Sequence, residues 1–190
     1  DWLDELGLEV PTTMDEWYDV LTAFKTEKNA SAPFTYWYSS QGLTDNNPFA
    51  YAYGAPRNFY IGDDNKVHFG AVEDGYREYL QTMHKWMSEG LIDVDLATLT
   101  NDQVSAKITN GSAGASFGWC GSSLGTWTSA GRATEEDFTL VSAPYPTVEK
   151  GDKPEFGQKD NDFVNMGCAV ITTSCENVEL AARLLDYAYS

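Results

Sequence analysis

The residues best suited to binding chemistry are Trp119 and the glycines and serines around it. Residues 113–117 form a short run of small and apolar residues, which predicts a buried strand, and Gly118 and Trp119 follow at its carboxyl end. Ligands collect at that end of the strands in open α/β sheets. An indole there offers a flat platform for a ligand, and Ser122 and Ser123 can cap a following helix. The alternative is that Trp119 belongs to the core, because tryptophan buries a large area wherever it lies.

A second group of aromatic and polar side chains follows another predicted strand. Residues 34–38 are a compact β-prone run that ends in Trp37 and Tyr38, and Gln41 comes shortly after them. If Trp119 binds a ligand, its indole should be partly exposed on a concave surface that it shares with Trp37 or Tyr38. A core Trp119 would instead be enclosed by apolar side chains.

Catalytic chemistry has little support in the residue types. His68 and His84 are the two histidines, one in a hairpin strand and one on a helix surface, which argues against a catalytic triad or a histidine metal site. No glycine pattern that cradles phosphates occurs in a predicted βα turn. Asp160 and Asp162 could act as acid and base, but a glycosidase needs its two carboxyls on opposite sides of a sugar. We therefore predict no catalytic residue, no metal and no cofactor.

The composition narrows the class of ligand. Twelve Lys and Arg stand against 29 Asp and Glu, and the net charge of −17 argues against nucleic-acid binding because phosphates are repelled. Aromatic residues make up 14% of the 190 residues, with six Trp and eleven Tyr. Aromatic faces suit ligands with apolar C–H surfaces and polar edges, of which sugars are the obvious case. The three cysteines form no C-x-x-C pair, which argues against a disulfide framework and against a zinc site.

Short helices alternating with short strands predict an α/β fold, a mixed sheet flanked by helices. Thr13 to Glu16 has the spacing of a capping box at the start of an amphipathic helix, and 73–89 carries the clearest helical stripe. Residues 59–61 and 66–69 flank a Gly-Asp-Asp-Asn turn and predict a β-hairpin. Further strands are expected at 138–142 and 166–172, and a final helix at 178–188.

An ordered series of segments resembles the extracellular solute-binding proteins of carbohydrate-type ABC transporters. The segments are DWLDELGLEVPTT at 1–13, FG at 69–70, EGLID at 89–93, ITNG at 108–111, APYP at 143–146 and AARLLDY at 181–187. The series covers nearly the whole chain in order, which makes it more specific than any one segment. A member of that family has Gly-Pro-Trp at the end of the corresponding strand, and this chain has Gly118 and Trp119 without the proline.

The resemblance implies a two-lobed, periplasmic-binding-protein-like receptor that closes around its ligand by a hinge motion. Residues 1–165 correspond to the second lobe. Residues 166–190 correspond to a strand and helix that cross the hinge to the first lobe, which would lie largely outside this chain. Trp119 matches the sugar-stacking aromatic of the family. Trp37, Tyr38 and Gln41 fall where the family has further contacts, and Ser122 and Ser123 can supply hydroxyls or backbone N–H groups.

These observations predict a binding protein rather than an enzyme. The expected function is capture of a sugar or oligosaccharide outside the cell, in a lipoprotein or periplasmic protein that delivers the ligand to the membrane permease of an ABC importer. The alternative is a carbohydrate-active enzyme domain with paired carboxylates. Trp127 is expected to serve packing. Because residues 167–190 would lack the partners they have in the family, we also expect them to pack in a new position or to mediate self-association.

Overall fold

The computed structural model describes residues 1–37, 47–154 and 169–187. The chain divides into two compact units, Asp1–Asp160 and Asn161–Ser190. Seven α-helices and four strands are found in the described residues: α1 Trp2–Leu6, α2 Met14–Glu27, β1 Phe34–Thr35, α3 Pro48–Ala52, β2 Phe59–Ile61, β3 Val67–Phe69, α4 Asp74–Ser88, α5 Asn101–Thr109, β4 Ala115–Ser116, α6 Gly125–Arg132 and α7 Val178–Tyr187. This mixture of helices and short strands is the α/β composition predicted from the sequence.

Helix α2 begins at the capping box that the sequence predicted. The Thr13 hydroxyl accepts from the Glu16 amide at 3.2 Å, and the Glu16 carboxylate accepts from the Thr12 and Thr13 amides. Hydrogen bonds from Lys150 and from Thr12 lower the pKa of Glu16 to about 2. The carboxylate therefore stays charged at the helix N-terminus, where the backbone dipole favours a negative charge.

The central sheet places two strand ends side by side. Strands β1 and β4 are parallel, with Phe34 opposite Ala115 and Thr35 opposite Ser116. Because parallel strands run in the same direction, the residues after Thr35 and after Ser116 leave the sheet at the same end, beyond the carboxyl ends of both strands. A parallel bridge joins Phe34 to Ile92 on the other edge of β1.

A buried ion pair holds this sheet to α5. Asp93 is 2% exposed, and its Oδ2 accepts from Lys107 Nζ at 2.6 Å and from the Thr35 hydroxyl at 2.9 Å. Its Oδ1 accepts from the Asp95 amide at 3.1 Å. A buried carboxylate is tolerated only when it is paired in this way. The cluster therefore ties β1, the loop after Ile92 and helix α5 together.

Aromatic rings form the main core beneath the sheet. Phe34, Phe49 and Trp86 are each 1% exposed. The ring of Phe49 lies 5.2 Å from that of Phe34 and 5.3 Å from that of Trp86. Such tilted and edge-on contacts are the favoured geometries for aromatic pairs. A second, smaller cluster joins α5 to α6 through Val104, Ile108 and Trp127 and through their neighbours Leu99 and Ala113.

Strands β2 and β3 form the hairpin that the sequence predicted, and burial alternates along each strand. Its outward face is apolar, with Phe59, Ile61, Val67 and Phe69 exposed. Inward-facing His68 lies between two carboxylates, with Nε2 2.9 Å from Asp64 and Nδ1 3.0 Å from Glu73. The hydrogen bond to Asp64, and to a lesser extent the one to Glu73, raises the pKa of His68. The imidazole thus ties the hairpin to the start of α4.

Two expected strands are not found where the structure describes the chain. Residues 138–146 carry no strand, and the neighbouring Thr147 makes a single parallel bridge to Thr13. Residues 169–172 have no strand either, and 166–168 lie outside the described residues. In the second unit, helix α7 forms at the predicted place, with Leu180, Leu184 and Leu185 exposed. No helix among the described residues has the length and apolar character needed to cross a membrane.

Candidate functional site

Trp119 presents its indole to solvent. It follows β4 in an extended conformation, with φ −85° and ψ 134°, and its side chain is 56% exposed. The interpretation of Trp119 as a core residue is therefore wrong, and the expected partial exposure is confirmed. A large exposed aromatic at a strand end has the surface that a flat, partly apolar ligand requires.

The indole stands at a cavity of about 1150 Å³, here called the Trp119 cavity. Its walls come from the start of α1, one face of α2, the stretch from Ile108 to Cys120, helix α6 and the segment Asp137–Pro146. Aromatic side chains recur around it, namely Trp2, Trp17, Phe24, Phe117, Trp127, Phe138 and Tyr145. Glu5 also lines it, and its ion pair with Lys28 lowers the pKa of that carboxyl. The volume is somewhat larger than the range of about 300 to 1,000 Å³ that is usual for small-molecule sites.

A π-helical turn, Cys120–Leu124, fixes the backbone after Trp119. The Trp119 carbonyl oxygen accepts from the amides of Ser122, Ser123 and Leu124 at 3.2, 2.8 and 3.2 Å. Helix α6 begins without a side-chain cap, so the expected capping by serine hydroxyls is wrong. Because both serine amides are already engaged, the hydroxyls are the groups that Ser122 and Ser123 can offer to a ligand.

The second predicted cluster is only partly described. Trp37 lies two residues beyond β1 and is 38% exposed, at the same edge of the sheet as Trp119. It does not line the Trp119 cavity, so the expected shared surface is not found for Trp37. Tyr38 and Gln41 lie outside the described residues. Tyr36, which the sequence did not single out, is buried in the core.

Two groups at the cavity were missed from the sequence. Trp17 was assigned to the core, and its ring does pack edge-on against Phe49 at 5.4 Å, yet it also lines the cavity. Its buried Nε1 has no hydrogen-bond partner within the described part of the chain, which is unusual for a buried donor. Cys120 is exposed with a free thiol beside Trp119. Only tertiary contacts place Trp17 at the cavity, so the sequence carried no signal for it. The Cys120 thiol could have been noticed, because Cys120 directly follows Trp119.

The carboxylate pair proposed for the enzymatic alternative, Asp160 and Asp162, lies outside the described residues. Within residues 1–37, 47–154 and 169–187, no group of three or more His, Cys, Asp or Glu side chains is arranged to hold a metal ion. His84 is exposed on α4, and His68 is engaged by its two carboxylates. The geometry described is thus that of a concave aromatic surface.

Comparison with known sequences identifies the family of this chain and two of its relatives. The family model described as "Bacterial extracellular solute-binding protein" matches residues 1–190. The fructooligosaccharide ABC transporter substrate-binding protein FusA of Streptococcus pneumoniae is 30% identical over 100% of this chain and 35% of its own length. Lipoprotein LipO of Bacillus subtilis is 30% identical over 60% of this chain and 24% of its own length. The chain thus spans about a third or less of these relatives.

Solved structures agree with the sequence comparison. FusA in complex with kestose superposes with a TM-score of 0.53 and 31% identity, over 60% of this chain and 25% of FusA. A sugar transporter of Bacillus licheniformis in complex with stachyose covers 99% of this chain and 47% of its own, with a TM-score of 0.60 and 21% identity. Alginate-binding protein AlgQ2 gives a TM-score of 0.53 at 27% identity over 65% of this chain and 26% of its own. The predicted fold class is thereby confirmed.

Proposed function

The chain belongs to the bacterial extracellular solute-binding proteins, and on this premise we propose that it captures a sugar or oligosaccharide for an ABC importer. The resemblance drawn from the sequence segments is thus confirmed at the level of the family. The observation that carries the proposal is the exposed indole of Trp119 at the mouth of an aromatic cavity. Support for the ligand class comes from FusA, whose name specifies a fructooligosaccharide, and from a neighbour solved with stachyose.

In this proposal Trp119 stacks on the apolar face of a sugar ring. Stacking uses the C–H face of the sugar, and its hydroxyl rim is left for hydrogen bonds. Ser122 and Ser123 supply hydroxyls from the turn directly after the indole, and Tyr38 and Gln41 supply contacts from the end of the neighbouring strand. Trp37, which does not line the Trp119 cavity, would contact only a ligand that extends beyond that cavity. Parallel pairing of β1 with β4 supports this grouping, because both strand ends lie at one edge.

Capture requires a second wall over the ligand. We propose that residues 1–165 are the second lobe of a two-lobed receptor and that 166–190 cross the hinge toward the first. The length of the relatives supports this, since the chain spans 35% of FusA. Closure of two lobes would bury the ligand on both faces, so one lobe alone should bind weakly.

We infer that the chain acts by binding and not by catalysis, because the family to which it belongs is one of substrate-binding proteins.

The cellular location of the protein is inferred from the same family and from one relative. The family description specifies an extracellular protein, and the relative LipO is a lipoprotein. We therefore propose an extracellular or periplasmic location, with a lipid anchor in the full-length protein and delivery to a membrane permease.

Self-association through 167–190 stays a prediction. The amphipathic helix α7 supports this prediction, because its apolar side chains are exposed: Leu184 is 72% and Leu180 is 63% exposed. Exposed apolar stripes of this kind favour association. Sedimentation velocity over a hundredfold concentration range tests the prediction. A concentration-independent monomer would contradict it.

The proposed function is tested by thermal shift of the protein against kestose, stachyose, maltose, glucose and a peptide mixture. A ligand that binds only the folded state raises the melting temperature in proportion to the logarithm of its concentration. We expect oligosaccharides to raise it and the peptides to leave it unchanged. A rise with peptides alone would overturn the sugar assignment. Hydrolysis of a chromogenic glycoside that disappears on Asp160→Asn or Asp162→Asn would instead establish the enzymatic alternative.

A further inference from the structure

Gly118 lies where no side chain fits. A Cβ at this position would stand 2.7 Å from the Cβ of Ser123 and 2.8 and 3.0 Å from two ring carbons of Trp127. Gly118 is not among the glycines with positive φ, so its backbone conformation is open to other residues. Glycine is required here for space, because the ring of Trp127 reaches the backbone directly before Trp119.

Trp127 is itself held in place from outside the turn. It is 7% exposed, and its Nε1 donates to the Ser105 hydroxyl at 2.8 Å. Its ring packs with Val104 and Ile108 of α5 in the smaller core cluster. Both the hydrogen bond and the ring packing oppose movement of the Trp127 side chain. The surface against which Gly118 rests is therefore fixed by α5.

The backbone around Trp119 is thus restrained on both sides. On the amino side the Gly118 backbone packs on Trp127, and on the carboxyl side the Trp119 carbonyl accepts three amide hydrogen bonds from the following turn. The Trp119 side chain remains exposed between these restraints. A binding group on a restrained backbone loses less conformational entropy when the ligand arrives.

We propose that Trp127 and Gly118 are positioning residues that set the direction in which Trp119 presents its indole to a sugar ring. This inference rests on the proposed function and deepens it. The packed contact between residues 118 and 127 makes the platform rigid, and a rigid platform selects sugars whose apolar ring face matches its orientation. Trp127 also lines the Trp119 cavity, and the role proposed for it here is the one it exerts through the backbone of Gly118 and Trp119.

The first test is Gly118→Ala with Gly121→Ala as its matched control. Each substitution adds one methyl group, at Gly118 two residues before the turn or at Gly121 within it, but a Cβ at Gly121 meets nothing within 4 Å. Stachyose and kestose are titrated up to millimolar concentration, and the rate at which the exposed Cys120 thiol reacts with a disulfide reagent reports the turn geometry. We expect Gly118→Ala to weaken sugar binding about tenfold and to change the thiol rate severalfold, with both unchanged in Gly121→Ala.

The second test is Trp127→Phe, alone and combined with Gly118→Ala. Phenylalanine lacks the two ring carbons that face Gly118 and lacks the N–H bonded to Ser105, so the single variant should weaken binding and alter the thiol rate. In the double variant the added methyl gains space, and binding should recover toward that of Trp127→Phe. Such non-additivity marks direct coupling, which a general loss of stability does not produce.

The outcomes separate the two proposals. If the wild-type full-length protein binds neither sugar, the proposed function fails, and the thiol rates of the four variants relative to the wild type still decide whether Trp127 positions the turn. If Gly118→Ala does not fold, Trp127→Phe and its thiol rate decide. Equal sugar affinity and equal thiol rates in Gly118→Ala and Gly121→Ala overturn the inference, as do strictly additive effects in the double variant.

Discussion

Replacing Trp119 by alanine should separate ligand binding from folding. A tryptophan side chain presents about 250 Å² at most, so its 56% exposure leaves about 140 Å² accessible. A sugar ring stacked on one face would cover about half of that area. At ~25 cal/mol per Å² the lost burial amounts to about 2 kcal/mol. The dissociation constant should therefore rise about 30-fold, whereas the free energy of unfolding should change by less than about 0.5 kcal/mol.

The assay combines urea denaturation with calorimetric titration of stachyose into Trp119→Ala. Phe59→Ala is the matched control, because this aromatic is 63% exposed but does not line the Trp119 cavity. The control should keep both its stability and its sugar affinity. The reasoning is refuted if Trp119→Ala loses several kcal/mol of stability, since the indole would then belong to the core. Unchanged affinity in Trp119→Ala would refute the stacking role.

Three further predictions concern the scaffold. Lys107→Met should lower the free energy of unfolding by about 3 kcal/mol, because it leaves the buried Asp93 carboxylate without its cation; urea denaturation measures this. Since the folded-state pKa of His68 is raised, its stabilising contribution is complete below pH 6.5 and is lost as pH rises through the raised value. His68→Gln should therefore flatten the pH dependence of stability in that window. Gly70→Ala should destabilise the fold by more than about 3 kcal/mol, because its Cβ would stand 1.7 Å from the Pro56 carbonyl oxygen.

Local signals in the sequence predicted the local structure well. The capping box of α2 rests on two side chains three residues apart, and the hydrogen bonds of Thr13 and Glu16 form as expected. The hairpin was equally predictable, because its turn and both strands lie within eleven residues, 59–69. In both cases the partners are close in sequence, so residue type and spacing carry enough information.

Structure that depends on distant partners was harder to predict. Residues 138–142 have the composition of a strand, but a strand exists only where another edge accepts its hydrogen bonds. Among the described residues the 138–146 segment finds no ladder and instead lines the Trp119 cavity. A β-prone sequence establishes that the backbone can extend, and it does not establish which neighbour will pair with it.

The candidate site was predictable in part for the same reason. The position of Trp119 after a strand left an exposed platform and a core role both open, and the observed exposure decides between them, whereas Trp127 was correctly assigned to packing. The close contact between Gly118 and Trp127 could not be inferred, because nine residues separate them and the turn between them contains a π-helical segment. The Trp17 N–H, which has no hydrogen-bond partner among the described residues, could not be foreseen either, since helical periodicity assigns a face and says nothing about the environment of one atom.

The apolar outer face of the β2–β3 hairpin suggests a physical role for the acidic composition, namely electrostatic repulsion between copies of the protein. Four neighbouring apolar side chains on a two-stranded ribbon form a surface on which copies of a protein readily adhere. A net charge of −17 makes every copy repel every other at neutral pH. That repulsion disappears near the isoelectric point of about 4.2 and is screened within about 10 Å at 0.1 M salt. The charge therefore opposes association through this apolar hairpin face at neutral pH and low salt.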